Sequence, residues 1–434
     1  MPVAASPLPP PAWAARLQNT AGALLVALAF AIPLSNALTS VLTALFAATM
    51  LAGQVAGSWR GRWRAVGRHP AVRATLALYG SILLAALWSA AAPQALLGQL
   101  LRSAALLLLP LFAVALWHTP WPRRCLQAFL LAMGLTLALS LAHALWVRLD
   151  AGPWPLPYKG GGDAIFHVHI THNVLMSVAA LAWLARACTG RALAWRQRMA
   201  YGLLAALAVF DILWLVPGRT GYATLLGGLF VLALVCCPRR WLLHWLGGMA
   251  VLCAAALWMS GSVQDRLDRT WREIQAFEGA GSAQRGDVNL ADHRLAIWRE
   301  ALQVIGQRPV LGHGTGSYRQ AFCASAQPAD MCLYGGGKHP HNQWLFAAIE
   351  GGLPALAAYA AWVATLGWLL WRQRGLQTMA AAMGPSLWVV WMVYGMVDTP
   401  LQLLTERHFF PLFFVLLLST PQHAPRPVPQ STAG

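Results

Sequence analysis

Apolar stretches of about 17 to 23 residues, the length that crosses a bilayer as a helix, recur along this chain. They lie near 21–37, 38–57, 75–92, 103–117, 126–147, 166–185, 199–216, 221–237, 242–260, 353–370, 378–397 and 402–420. A chain so patterned has little choice but to be an all-α polytopic membrane protein, with about 12 transmembrane helices. Composition agrees, since 58% of the 434 residues are hydrophobic and only 10% are charged, more apolar surface than a core of ordinary size absorbs. The N-terminal stretch "SPLPPPAWAARLQNT" is followed by an apolar run with no small-residue cleavage site after it, so that run is expected to stay as the first span.

Lys and Arg number 31 against 14 Asp and Glu, a formal charge of +17. Such an excess suits nucleic acid until its placement is considered. The basic residues lie mostly between apolar runs, which fits membrane lipids or phosphate partners and no nucleic acid. With the N-terminus inside, one set of loops holds Arg60, Arg62, Arg64, Arg68, Arg73, Arg123, Arg124, Arg186, Arg191, Arg196, Arg198, Arg239, Arg240, Arg372 and Arg374. The opposite short loops hold only Arg102, Arg148, Lys159, Arg219 and Arg407. This asymmetry predicts both termini in the cytoplasm.

The chain then divides into spans one to nine with short loops over 1–260, a large outward loop over 261–342, the C-terminal spans over 343–420, and a cytoplasmic tail, 421–434, whose "PQHAPRPVPQSTAG" reads as disordered. A second, shorter outward loop runs from 148 to 167. In the large loop, "DHRLAIWREALQVIGQRP" sets Leu295, Trp298, Leu302 and Ile305 on one helical face and stops at Gly306 and Pro309. The pattern predicts an amphipathic helix lying along the outer membrane face. Cys323 and Cys332 share this loop, where an oxidising compartment favours a disulfide between them, the alternative being two free thiols. The other five cysteines fall in or beside spans or inward loops and read as small apolar fillers.

The titratable chemistry gathers at one boundary, "KHPHNQWLFAAIEGG", residues 338–352. His339 and His341, two apart, share a side of an extended segment, which Pro340 favours before it. A metal shell is not completed by any Cys or nearby acid at ligand spacing, so none is expected. His341, with an ordinary imidazole pKa near 6.5, suits a general base acting on a sugar hydroxyl. Asn342 opens the next helix, and its N-cap side chain with the free N–H groups makes a natural anion site; Lys338 and His339 flank it. Arg219 in "VPGRTGYA" and Arg294 on the loop helix suit bidentate phosphate contacts, against the plainer role of surface or lipid contact. "GHGTGSY" fits no P-loop and reads as a flexible turn. Asp211 and Asp398 fall in or at the ends of apolar runs, where an ionisable group needs a partner or a task. Asp398 is on the same outward side as His341. The histidines of "HVHITHN", His167, His169 and His172, read as interfacial side chains with wet tips.

The turn "GRTG", the run "HRLAIWREALQVIGQRPVLGHGTGSYRQAF" and then "HNQWLFAAIEGGLPAL" resemble the O-antigen ligase and polymerase superfamily, most closely the bacterial O-antigen ligases, over about 215–400. The resemblance implies a GT-C-like, inverting, metal-independent glycosyltransferase without a cofactor in the bacterial inner membrane. Its implied donor is an undecaprenyl-diphosphate-linked glycan, and its acceptor the lipid A core at the periplasmic face. The family's arginines fall on Arg219 and Arg294, its histidine on His341 and its late acidic residue, which orients the site, on Asp398; His339 has no clear counterpart. O-antigen polymerases and protein O-oligosaccharyltransferases share much of the pattern. The latter often carry a further C-terminal domain, and the short stretch after the last span favours ligase. A transporter or flippase would instead show paired broken helices and midplane charges.

Overall fold

The computed structural model describes residues 12–55, 57, 59–155, 164–190, 192–245, 247–248, 251, 268, 271, 294–326, 332, 337–376 and 378–419. Every regular element among them is helical. The first half holds α1 (Ala12–Ala31), α2 (Asn36–Val55), α3 (Arg60–Val66), α4 (Pro70–Ala85), α5 (Pro93–Ser103), α6 (Leu108–Leu116), α7 (Trp121–Arg148), α8 (His169–Thr189), α9 (Trp195–Phe210) and α10 (Arg219–Cys236). The second half holds α11 (Arg294–Gln307), α12 (Tyr318–Ser325), α13 (Gln343–Arg372), α14 (Met379–Val397) and α15 (Leu404–Leu418). Among the described residues, nine helical segments are long and apolar enough to cross a membrane, which makes this a multi-pass membrane protein. The ninth expected span, 242–260, lies mostly outside the described residues, as do Lys159, the first part of the large loop and the tail.

Aromatic packing on α15 organises the bundle. Phe409 and Phe413 meet Phe129 of α7, while Phe410 and Phe414 meet Trp391 of α14, and all four phenylalanines are fully buried. Indole donors pin neighbours that would otherwise slide in a uniformly apolar medium. Trp362 of α13 donates to Thr75 Oγ1 of α4 at 2.8 Å, and Trp117 donates to the Val415 carbonyl at 3.2 Å. Arg102 was expected in a loop, but a 3-10 turn, Ala104–Leu107, joins α5 to α6 and leaves it within one continuous helical segment. Arg407 likewise stands in the first turn of α15.

The thirty-residue α13 is broken inside by Gly352, at φ 59° and ψ −151°. That left-handed, extended backbone belongs to glycine alone. The break frees two carbonyls: Pro354 has no N–H to offer Glu350, and the Leu353 N–H turns away to the Val310 carbonyl at 3.0 Å, leaving that of Ile349. The loop 310–317 fills both. The His313 N–H donates to the Ile349 carbonyl and the Gly314 N–H to that of Glu350, each at 2.8 Å. Gly314, at φ 95°, lies so close to Ser89 that a Cβ there would sit 2.2 Å from its Cα. "GHGTGSY" is therefore a docked staple, with most of its amides spent inside the protein, and the expectation of a flexible turn is corrected.

The loop helix α11 forms where its periodicity places it, yet its buried stripe is Ile297, Ala301 and Val304, and Leu302 is exposed. It packs on α12 and on the first turns of α13, around Tyr318, Phe322, Phe346 and Ile349. Helix neighbours cover that face. Cys323 of α12 is bonded to Cys332, with Cα atoms 5.1 Å apart.

Candidate active site

Three elements meet at the N-terminal end of α13. Asn342 caps that helix: its Oδ1 accepts the N–H groups of Trp344 (2.9 Å) and Leu345 (3.1 Å), while its Nδ2 donates to the Met396 carbonyl at 3.0 Å. The cap thereby holds α13 against the end of α14. Trp298 of α11 donates to the Pro340 carbonyl at 3.0 Å, which fixes the histidine segment from its other side.

Between these anchors the chain turns at His341 through the left-handed region, at φ 48°. A non-glycine residue adopts this backbone at a cost of the order of 1 kcal/mol or more, and such strain gathers where a side chain must be aimed. The rings of His339 and His341 meet edge to face with centroids 4.3 Å apart, so they do share a side. Both aim Nδ1 at Asp398 Oδ1, His341 from 3.4 Å and His339 from 3.8 Å. Asp398, the residue that ends α14, is 3% exposed and accepts the N–H of Thr399 at 2.8 Å.

Electrostatics sort the three groups. Burial raises the Asp398 carboxyl, but the close approach and charge of His341, then His339 and the Thr399 N–H, outweigh it and hold the pKa below its ordinary value. Asp398 is thus an anion. Burial first, and then the like charge of His341, push His339 down to about 4 against the pull of Asp398, with Lys338 and Arg294 adding to the fall. His339 is neutral at pH 7. The side chain of His341 is 25% exposed while its Nδ1 is buried, so the accessible part of the ring lies away from Nδ1, on the side carrying Nε2. A carboxylate behind Nδ1 favours the tautomer with Nε2 unprotonated.

The same donor atoms, His339 Nδ1, His341 Nδ1 and Asp398 Oδ1, lie within 4.8 Å of one another and are able to hold a metal ion. Three protein ligands with the fourth position open to water or substrate is the pattern of a catalytic tetrahedral site, whereas a closed structural site takes four, and among the described residues no fourth His, Cys, Asp or Glu joins the group. The chemistry is at least as well served by a carboxylate–imidazole pair.

Arg294 opens α11, and its charge reaches both His339 and Tyr394. Arg219 is the exposed first residue of α10. Gly227 of α10 touches Val389 and Val393 of the antiparallel α14, and about two turns from there bring both chains to Arg219 and Asp398. The two residues therefore stand at one end of the bundle. Lys338 is exposed beside His339.

Other polar residues depart from their sequence reading. His167 and His172 are buried, 5% and 3% exposed, and have no wet tips. His172 Nε2 lies 2.7 Å from Asp211 Oδ2, Ser140 donates to Asp211 Oδ1, and His167 reaches the Ile32 carbonyl at 3.0 Å. These contacts join α7, α8 and the π turn Asp211–Leu215, a structural use of Asp211. His169 is the first residue of α8. Sequence reasoning passed over Glu406, which is buried and accepts from Tyr394 OH (2.9 Å) and Thr171 Oγ1 (2.6 Å) one turn behind Asp398. An acid in so apolar a run, "LTERHFFPLF", was the signal available.

The O-antigen ligase family model matches residues 203–360, the stretch that carries Arg219, Arg294 and both histidines of the cluster. No curated protein matches the chain. Members of the matched family are membrane glycosyltransferase-like enzymes that act on lipid-linked glycans. The similarity to the O-antigen ligase family thus covers 158 of the 434 residues, in a multi-pass membrane protein.

Proposed function

We propose that the protein is an O-antigen ligase of the bacterial inner membrane, which transfers a glycan from undecaprenyl diphosphate to a hydroxyl of the lipid A core at the periplasmic face. The observation that carries this reading is the His341–Asp398 pair, set at a bundle end beside the Arg294 charge, within a segment of this family. The acceptor oxygen attacks the anomeric carbon, the bond from that carbon to the diphosphate oxygen breaks with inversion, and the hydroxyl proton passes to His341 Nε2. Asp398 stabilises the imidazolium that forms. Arg219 and Arg294 take the charge of the departing diphosphate, which spreads over several oxygens. Lys338, His339 and the α13 terminus capped by Asn342 complete the anionic subsite.

A hydroxyl is hardly ionised near pH 7, so a positioned base contributes about 10² to 10⁴ in rate, and guanidinium groups on the phosphates leave no step that requires a metal. The test separates donor affinity from transfer rate in His341→Ala and His341→Gln. Both variants are expected to bind donor normally and lose most transfer, with His339→Ala milder and chelator without effect on wild type. A Gln variant with near-normal transfer would remove the base role, because an amide donates hydrogen bonds but accepts no proton. Loss of transfer on chelation would move the chemistry to a metal held by His339, His341 and Asp398. The lipopolysaccharide profile of a knockout distinguishes ligase, with polymer absent from the core and lipid-linked polymer accumulating, from polymerase, with polymer length lost.

A further inference from the structure

A cleft opens between α4, α5, α13 and α15. It begins at Gln343, two residues past His341, and reaches Leu401, three past Asp398. Neither Arg219 nor Arg294 lines it. Two other arginines do, Arg102 and Arg407, and their guanidinium groups are near enough to repel each other.

Among the described residues, neither guanidinium is ion-paired with a carboxylate, and Glu350 is the acidic group within reach. Arg102 spends its Nε on Gln99 Oε1 at 3.2 Å, which leaves its terminal nitrogens free of that bond. Arg407 Nε is buried and has no acceptor. The one carboxylate in the cavity, Glu350, feels the charge of Arg102 but is already engaged, accepting the Gly316 N–H at 2.9 Å and that of Tyr318. Two like charges at the edge of an apolar bundle, one with an unanswered donor, are costly to keep unless an anion joins them. The remaining wall, with Leu78, Ile82, Leu106 and Phe346, is apolar. Its ligand must therefore be an anion with a greasy body.

We infer that Arg102 and Arg407 clamp the phosphate of a second lipid, a phosphorylated glycolipid whose hydrocarbon lies along the apolar wall and whose sugar reaches the His341–Asp398 pair. In the transfer reaction this is the acceptor, and that assignment rests on the ligase reading above. A transferase joining two membrane lipids needs a place for each. The donor diphosphate has its own guanidinium groups, and this cavity opens directly behind the base. Paired forks of this kind hold a phosphate dianion with several charge-assisted bonds.

The experiment measures binding to the full-length protein in nanodiscs without turnover. The probes are lipid A core glycolipid, the same material after phosphatase treatment, phosphatidylglycerol and inorganic phosphate. Wild type is expected to bind the phosphorylated glycolipid at least about tenfold more tightly than the dephosphorylated one. Arg102→Gln combined with Arg407→Gln should abolish that difference while donor affinity stays unchanged, and in turnover it should raise KM for the acceptor with little change in kcat. Equal binding of the two glycolipids by wild type overturns the proposal whether or not the variant folds. So does phosphatidylglycerol or inorganic phosphate competing as well as the glycolipid, which would make this a general headgroup or free-phosphate site, and so does a variant that weakens the donor instead. A protein that shows the phosphate-dependent binding but transfers no glycan would refute the ligase reading and leave the clamp standing.

Discussion

Acidifying the protein from pH 7 to pH 5 charges His339 wherever its segment has opened, and leaves it neutral where the segment is closed. The closed value is about 4, set first by burial and then by the like charge of His341, with Asp398 opposing, whereas an exposed histidine titrates near 6.5. Between these values the open state carries the additional proton, so stability rises with pH and is lost as pH falls from about 6.5 towards about 4; above that window the contribution is constant. At pH 5 the difference in proton binding amounts to about 2 kcal/mol relative to pH 7, or about twentyfold in the opening equilibrium. The assay is hydrogen exchange of the peptide covering 337–345 in detergent, wild type against His339→Gln, compared at each pH so that intrinsic exchange chemistry cancels. The wild-type segment should lose about twentyfold in protection relative to the variant between pH 7 and pH 5. An unchanged ratio would show that burial does not control this ring, and a ratio moving the other way would show that the Asp398 charge outweighs it.

The remaining expectations concern the scaffold and the anion site. Gly314→Ala places a methyl against Ser89 at a left-handed position and is expected to destabilise the protein by at least about 2 kcal/mol; unchanged thermal unfolding would mean that the staple yields freely. Cys323→Ser opens a link spanning nine residues and should cost about 2 to 3 kcal/mol, read as a lower denaturant midpoint that reduction of the wild type reproduces. Arg294→Lys and Arg219→Lys keep the charge but lose the fork, so donor turnover should fall about tenfold or more, and wild-type turnover in both would reduce these arginines to lipid contacts.

Sequence periodicity located the spans because lipid imposes a length that few other environments do. His341 and Asp398 were also legible, for ionisable groups at the ends of apolar runs are costly and therefore conspicuous. Their convergence on one carboxylate oxygen was not, since it depends on the Asn342 cap holding α13 against α14 and on Trp298 reaching Pro340. Arg102 and Arg407 looked like ordinary loop arginines, and only the packing of α5 beside α15 sets them together. On α11 the stripe Leu295, Trp298, Leu302 and Ile305 is as periodic as Ile297, Ala301 and Val304, which the protein buries. Which of two adjacent stripes is covered is decided by a partner, here α13, that periodicity does not reveal. The glycines of 312–316 suggested freedom, whereas the carbonyls that bind them become available only through a break in another helix, forty residues on.

That break bears on how the protein is made. As α13 leaves the ribosome and enters lipid, the carbonyls of Ile349 and Glu350, about 10 Å along it, have no partner within their own helix, and in hydrocarbon each such group costs several kcal/mol. The amides that satisfy them, on His313 and Gly314, belong to a loop synthesised earlier. Settling of this span is therefore expected to wait for the loop to dock, making residues 310–353 one unit of biogenesis in which an earlier loop completes a transmembrane helix after its synthesis.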